Sequence, residues 1–507
     1  MDTRKKLRVP SCPRDESCFG ESKKRHGSDV TARTLFIGGT SSNAGKSWMA
    51  TAICAWLRRK GVSVAPFKAQ NMSNNSYPCQ AGGEIGRAQV AQAEACGLEP
   101  EPAMNPILLK PSGAGTSQVV VNGRVWKTLS ARDYYAHADQ LRETVLEAYA
   151  NLSRRFDAIV IEGAGSVTEL NLRHHDLVNL GLVTRIRAPW LLVADIERGG
   201  VFGSVIGTTH LLSPDERALF QGFAINKFRG DVSLFDDGVR ILEERTASRC
   251  FGVFPYADDI VLDAEDSLAL KTRPTTPAPP GARLAIAHFP HLSNATDFRL
   301  LTWADWITSP PDGRYDFIIL PGTKSTIADL AWLRGVGLAD WIVEQYRGGA
   351  TVVGICGGYQ MLGRTIHDPG RMESAIAEAK GLGLVEAVTV LARDKRTEVV
   401  SAMTPGGIRF GGYQIHLGVT TLDRRERVVP FARLVSRGEG GDGGIADGVR
   451  APRVVGTYLH GAFEHADVCA EIFGIDLPSP DSKAGQYHRL ASWFEEHGRN
   501  LGQLGLD

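Results

Sequence analysis

Two α/β domains, each built on a parallel sheet, are what this sequence predicts, and three observations predict it. Short, continuously apolar runs alternate with helical stretches, as expected of strands buried on both faces. Glycine-rich turns follow several of those runs. A proline-rich stretch divides the alternation in two, and 507 residues exceed what one ordinary hydrophobic core supports.

Residues 1–32 are charged and aperiodic, and read as a disordered polar extension without the apolar segment of a secretory signal. The first domain, 33–270, opens with the apolar run Thr34–Gly39 (TLFIGG), a buried strand, and Ser47–Arg59 is an Ala- and Leu-bearing helix. Val62–Phe67, Ala158–Glu162 (AIVIE), Trp190–Asp195 (WLLVAD) and Gly222–Asn226 are further strands. The stretch 271–281 (KTRPTTPAPPG) is a linker. The second domain, 282–500, carries the strands Arg283–Ala287, Asp316–Leu320 (DFIIL) and Thr351–Ile355, and a Gly-rich surface loop around Arg437–Gly448.

Composition excludes some functions and names none. With 57 Lys+Arg against 57 Asp+Glu, the chain lacks the basic surplus that bulk nucleic-acid binding uses. No apolar run reaches the roughly 18 residues that cross a bilayer. The eight cysteines show no metal-ligand spacing, so reduced thiols in a cytoplasmic protein are expected. The expected partners are small molecules, with neither nucleic acid nor membrane.

Gly39-Thr40-Ser-Ser-Asn43-Ala-Gly45-Lys46-Ser47 joins the first strand to the first helix. Glycines let backbone N–H groups curl around phosphate oxygens, and the helix N-terminus adds partial positive charge. Lys46 can bridge the β- and γ-phosphates, and the Ser47 hydroxyl can ligate Mg²⁺. Five residues separate Gly39 from Gly45, where the standard loop has four. Glu162 ends its strand at the carboxyl edge of the sheet, where ligands of open α/β sheets bind, and is a candidate Mg²⁺ ligand. A solvent-facing strand-end Glu is the alternative. Asp195 ends its strand in the same way. Asn226 could read a purine edge, or be an ordinary turn residue. Lys68, Gln70 and Asn71, just past the second strand, read equally as substrate or phosphate contacts and as a polar loop.

Gly354-Ile-Cys356-Gly357-Gly358 follows a strand and precedes a helix: a nucleophile elbow with Cys for Ser. A thiol at a helix N-terminus is biased toward thiolate, and the Gly357 N–H can stabilise an oxyanion. Such a nucleophile needs a base. His460, after a short apolar strand and before glycine, is the best candidate; His367, His416 and His465 compete, His416 most seriously.

These residues, with PFKAQNMSNNSY (66–77), EIGRAQVAQAEA (84–95), MNPILLKP (104–111) and EGAGSVTELNLRHHDLVN (162–179), resemble the cobyric acid synthase family. LPGTKST (320–326), GICGGYQMLG (354–363), GGYQIHLG (411–418) and GTYLHGAF (456–463) carry the resemblance through the second domain. It implies a P-loop, dethiobiotin-synthetase-like domain followed by a flavodoxin-like class I glutamine amidotransferase domain. It implies ATP- and Mg²⁺-dependent amidation of the b, d, e and g carboxylates of adenosylcobyrinic acid a,c-diamide in cobalamin biosynthesis, with no bound prosthetic group. It also implies Gly322 beside Gly357 in the oxyanion hole.

Triad-type amidotransferases place Glu two residues after the catalytic His, where this chain has Ala462. The resemblance therefore implies a base without an acidic orienter, Glu464 being the available substitute. Asn43 and Gln414 stand where Asp and Glu are expected. A corrin a,c-diamide synthase or a cell-wall glutamate-amidating enzyme is the near alternative, against which KAQNMSNNSY and EIGRAQ argue. A regulatory P-loop ATPase would leave the Cys356 elbow unexplained. The Asp-x-His-x-x-Gly pattern of a cobalt-ligating histidine is absent, which makes the corrinoid a substrate.

Overall fold

The strand Arg33–Gly39 lies inside a six-stranded parallel sheet ordered Arg249–Pro255, Phe220–Phe228, Trp190–Asp195, Arg33–Gly39, Ala158–Glu162, Val64–Phe67. The computed structural model describes residues 32–112, 115–262, 278–279, 282–374, 376–392, 395–423, 428–435, 444–477 and 482–506. The expected extension 1–32, Ala32 excepted, and most of the expected linker 271–281 lie outside the described residues. So do residues 437–443 of the expected Gly-rich loop, whose end instead forms the strand Ile445–Asp447.

The apolar runs form this sheet because both of its faces are covered. Ala158–Glu162 and Trp190–Asp195 are buried along their whole length. Side-chain alternation sends Leu35 and Ile37 into the core beneath the helix Lys46–Arg59, and Phe36 into the core on the opposite face. The sixth strand, Arg249–Pro255, escapes the sequence reading because Gly252 interrupts its apolar run.

The second sheet runs Asp305–Ile307, Leu284–Ala287, Phe317–Leu320, Thr351–Ile355, Val454–Thr457, Val449–Ala451, parallel except for its last strand. A mostly antiparallel layer was not anticipated from the sequence. Its strand Arg409–His416 pairs with Arg396–Met403 and brings His416 beside the elbow.

One expected boundary needs correction. The second domain does not run to residue 500, because the helix Lys483–His497 packs on the first domain's helix Lys46–Arg59. Phe494 meets Trp56 edge-on at 5.5 Å between ring centroids, and Trp493 meets Trp48 at 5.9 Å. Lys483 and Tyr487 bond Glu94 of the first domain. An apolar helical face buries where apolar surface is available, and sequence proximity does not decide which domain supplies it.

The two sheet domains meet through the hairpin Ser76–Pro78/Glu84–Gly86 and the helix Arg87–Cys96. Asn294 accepts from Ser76 N at 3.1 Å, and its own N–H donates to Asn75 Oδ1 at 2.7 Å. Glu84 is buried between Lys110 of its own domain and Lys395 of the other. No helix among the described residues is long and apolar enough to cross a membrane.

Candidate active site

Gly45 caps the helix Lys46–Arg59 at φ +99°, a left-handed conformation, and no side chain caps that terminus. A Cβ there would fall 2.0 Å from Asn226 Nδ2, so the loop closes only around glycine. The N–H groups of a helix's first turn point out of its N-terminus and favour an anion there. Lys46 Nζ donates to the carbonyl oxygens of Ser41 in the loop, at 3.0 Å, and of Gly165 in the turn after the strand Ala158–Glu162, at 2.7 Å. Thr40 N donates to Val193 O at 3.0 Å, tying the loop's start to the sheet. Asn43, at φ +61°, occupies a conformation that Asn tolerates better than most residues.

The strand ends deliver polar groups around this loop. Ser47 Oγ donates to Glu162 Oε1 at 2.7 Å, Lys68 Nζ lies 2.9 Å from the same oxygen, and Gln92 donates to Oε2. Burial alone would raise the Glu162 carboxyl; the Lys68 ammonium, with the Ser47 and Gln92 donors, outweighs it and holds the carboxyl below its ordinary range. Glu162 is 1% exposed, which replaces the solvent-facing alternative.

Other expected contacts have local partners. The Asn226 amide donates to Ala44 O at 3.0 Å and so braces the loop. Asp195 pairs with Lys227 at 2.9 Å, and Lys227 also reaches Asn43 O at 2.6 Å. Asn71 accepts from Met72 N and donates to Gln89, while Gln70 accepts from Tyr134. Lys68 and Asn71 are therefore buried members of a polar interior, and the exposed-loop alternative fails for them.

In the second domain, Cys356 sits at φ 53°, ψ −111° between the strand Thr351–Ile355 and the helix Gly357–Leu362. Positive φ at a non-glycine residue is strained, and here it turns the thiol off the sheet edge. A Cβ on Gly358 would stand 1.9 Å from Leu320 O, so the helix enters this close only on glycine. Side chains at Gly357 or Gly322 would strike Thr323 Cγ2 at 2.6 Å or His460 Cε1 at 2.8 Å, so bare backbone surrounds the reacting space.

His460 and Cys356 come together, and the sequence reading missed what holds them. His460 Nδ1 lies 2.7 Å from Asp297 Oδ2, and Asp297 Oδ1 accepts from Gly461 N at 2.7 Å. The expectation of a base without an acidic orienter is thereby corrected, and so is Glu464 as substitute. Glu464 pairs with Arg87 at 3.2 Å and Arg299 at 3.4 Å. Asp297 sits in the short turn Ala295–Phe298, far from His460 in sequence, and no local spacing signals it. Burial would lower His460; the Asp297 carboxylate and the Cys356 thiol pull it up to about 10. Among the described residues no oxygen or nitrogen bonds His460 Nε2, the ring nitrogen left for the Cys356 thiol.

Among the described residues the competing histidines have no buried carboxylate partner. His416 is pushed down to about 4 by burial, its Nδ1 on Gly418 O at 3.1 Å and its ring stacked on Tyr458 at 3.8 Å. His367 pairs with Glu378 on a partly exposed strand pair, and His465 bonds Gly411 O.

A cavity of about 420 Å³ opens on Cys356. Gln360, His416, Lys324 and Glu373 line it from the second domain, and Ser76 and Lys110 from the first. Burial lifts Glu373 to about 7 against the pull of Lys324. It lowers Lys110 to about 7 in spite of Glu84.

Comparison with known proteins agrees with this division of labour. Residues 35–269 match the CobQ/CobB/MinD/ParA nucleotide binding domain, and residues 283–468 the CobB/CobQ-like glutamine amidotransferase domain. The cobyric acid synthase of Syntrophobacter fumaroxidans is 43% identical to the chain, covering 92% of this chain and 97% of that protein. The chain belongs to the cobyric acid synthase family.

Other cobyric acid synthases are similarly close. Those of Dehalococcoides mccartyi (strain CBDB1) and Mycobacterium sp. (strain KMS) are 42% and 43% identical over 86% of this chain. As a member of this family the chain is a glutamine-dependent, ATP-using amide ligase of cobalamin biosynthesis. The Gln414 departure has a local partner: its amide donates to buried Asp447 at 2.8 Å, where a Glu would set carboxylate against carboxylate.

Proposed function

We propose that this chain amidates the b, d, e and g carboxylates of adenosylcobyrinic acid a,c-diamide in the cytoplasm, one ATP and one glutamine serving each amide. The observation that carries the reading is the pairing, within one chain, of a phosphate loop with an Asp297–His460–Cys356 constellation. A carboxylate and ammonia do not condense unaided in water, so the acid must first become an acylating agent.

The residues of the loop fit a magnesium nucleotide. A helix N-terminus, Gly39 beside the Lys46 side chain, and two oxygen donors 2.7 Å apart, on Ser47 and Glu162, suit phosphate and a hard cation. When bound, the nucleotide supplies the phosphoryl group that activates the corrinoid carboxylate. Lys46 neutralises charge on that group during transfer, and Ser47 and Glu162 hold the cation.

At the other site Cys356 attacks the glutamine amide carbon, forming a thioester. The N–H of Gly357 and the backbone at Gly322 stabilise the oxyanion, and His460 delivers a proton to the departing ammonia. Water then releases glutamate, and ammonia displaces phosphate from the activated carboxylate. Glu373 and the lysines of the cavity wall suit the ammonium and carboxylate of free glutamine.

The test is incubation of purified protein with ATP, Mg²⁺, glutamine and the corrinoid a,c-diamide, followed by product mass. Stepwise amidation is expected, and an unchanged corrinoid mass overturns the reading. Cys356→Ala should end glutamine use but retain amidation from high ammonium, whereas Lys46→Ala should end both.

A further inference from the structure

The helix Arg87–Cys96 touches both candidate sites. Gln92, wholly buried, donates to Glu162, which also holds Ser47 of the phosphate loop. Five residues earlier, about 7.5 Å along the axis, Arg87 reaches the other domain. Its guanidinium pairs with Glu464 at 3.2 Å and lies over the rings of Tyr77 at 5.0 Å and Tyr413 at 5.8 Å. Tyr413 stacks on His460, with ring centroids 5.2 Å apart and planes 19° apart, and the two exchange backbone hydrogen bonds at 2.9 and 3.0 Å.

A second route leaves the same helix end. Arg87 N donates to Asn75 O at 3.1 Å, and Asn75 Oδ1 accepts from Asn294 N at 2.7 Å. Asn294 caps the turn Ala295–Phe298 that carries Asp297, the partner of His460. Both supports of the His460 ring, the Tyr413 stack and the Asp297 acceptor, therefore rest on residues at the start of a helix that belongs to the other domain.

Resting on the two sites read above, we propose that the helix Arg87–Cys96 couples them, with Arg87 as a positioning residue for His460 and Gln92 as the reporter of the phosphate loop. A cation ligated by Ser47 and Glu162 Oε1 competes with the Lys68 ammonium for that oxygen, so the carboxylate turns when the cation binds. Its reorientation alters the Gln92 contact, and a helix of fewer than three turns moves as a rod. Arg87 then shifts against Tyr413 and Asn75. Linkage makes the effect reciprocal: a change at Cys356 must alter nucleotide affinity by the same factor.

That reciprocity gives a test independent of turnover. The Kd of a non-hydrolysable ATP analogue with Mg²⁺ is measured on the full chain, unmodified and with Cys356 alkylated by a glutamine-mimicking diazoketone. The wild-type ratio of the two constants should be about fivefold or more. Arg87→Met, which keeps most of the volume, and Glu464→Gln, made from the other domain, should each bring it below about twofold. A general packing role for Arg87 would alter both constants together and leave their ratio. Labelling and binding with a wild-type ratio near one, or an undiminished ratio in both variants, overturns the coupling alone. Failure of the analogue to bind, or of Cys356 to react, overturns the site assignment and the coupling with it.

Discussion

Asp297 Oδ2 lies 2.7 Å from His460 Nδ1, and both side chains are 1% exposed. A carboxylate there keeps the Nδ1 proton in place and leaves Nε2 for the thiol. Asp297→Asn retains shape but presents an amide where a charge is needed. Glutamate release should fall by about 10²- to 10⁴-fold, with amidation from ammonium retained. Comparing both nitrogen sources in one preparation checks this; a glutaminase loss under tenfold would contradict the role given to Asp297.

The same pair ties stability to pH. His460 is raised from 6.5 to about 10, so the folded state binds its proton more tightly than the unfolded chain. The contribution is complete below about pH 6.5 and declines as pH rises toward 10, because unfolding then releases a proton. Wild type should lose stability over that window, and His460→Gln should show a shallower decline. Denaturant midpoints at pH 6, 8 and 9.5 read the difference, and parallel declines would remove His460 as the cause.

Glu162 joins the phosphate loop to the interior. Glu162→Gln keeps the volume but leaves Lys68 a buried ammonium without its carboxylate, so stability should fall by about 3–5 kcal/mol. Nucleotide affinity should also lose most of its dependence on Mg²⁺. Titration calorimetry with Mg²⁺ and with EDTA measures this, and an unaltered Mg²⁺ effect would remove Glu162 from the cation site.

The legible parts of this molecule were those written locally. Ala158–Glu162, Trp190–Asp195 and Thr351–Ile355 have in the structure the bounds that their apolar runs predict, because a doubly covered parallel strand declares itself by continuous burial. The elbow at Cys356 and the loop at Lys46 were legible because a fixed backbone turn demands glycine at fixed offsets. Asp297 was not, since its meaning lies in a contact across 163 residues. Arg87 was visible only as part of a family block, and its partner Glu464 lies in the other domain. The helix Lys483–His497 was assigned to the wrong domain because an amphipathic stripe records that a face is buried, without naming its cover.

That helix carries a stability contribution of the first domain. Phe494 is 1% exposed, stacks on Phe254 with planes 7° apart and meets Trp56 edge-on, so it fills the space between the helix Lys46–Arg59 and the strand Arg249–Pro255. Removing a buried aromatic ring and leaving a cavity costs about 3–5 kcal/mol. The cost should fall on the nucleotide-binding half, although the substitution lies in the last stretch of the chain. Phe494→Ala should therefore lower the denaturant midpoint at which ATP-analogue binding is lost. Because Trp56 lies on the helix that begins at Lys46, nucleotide affinity should weaken before glutaminase turnover does. Following both signals through one denaturant series distinguishes the two halves. Earlier loss of glutaminase turnover would return this helix to the second domain.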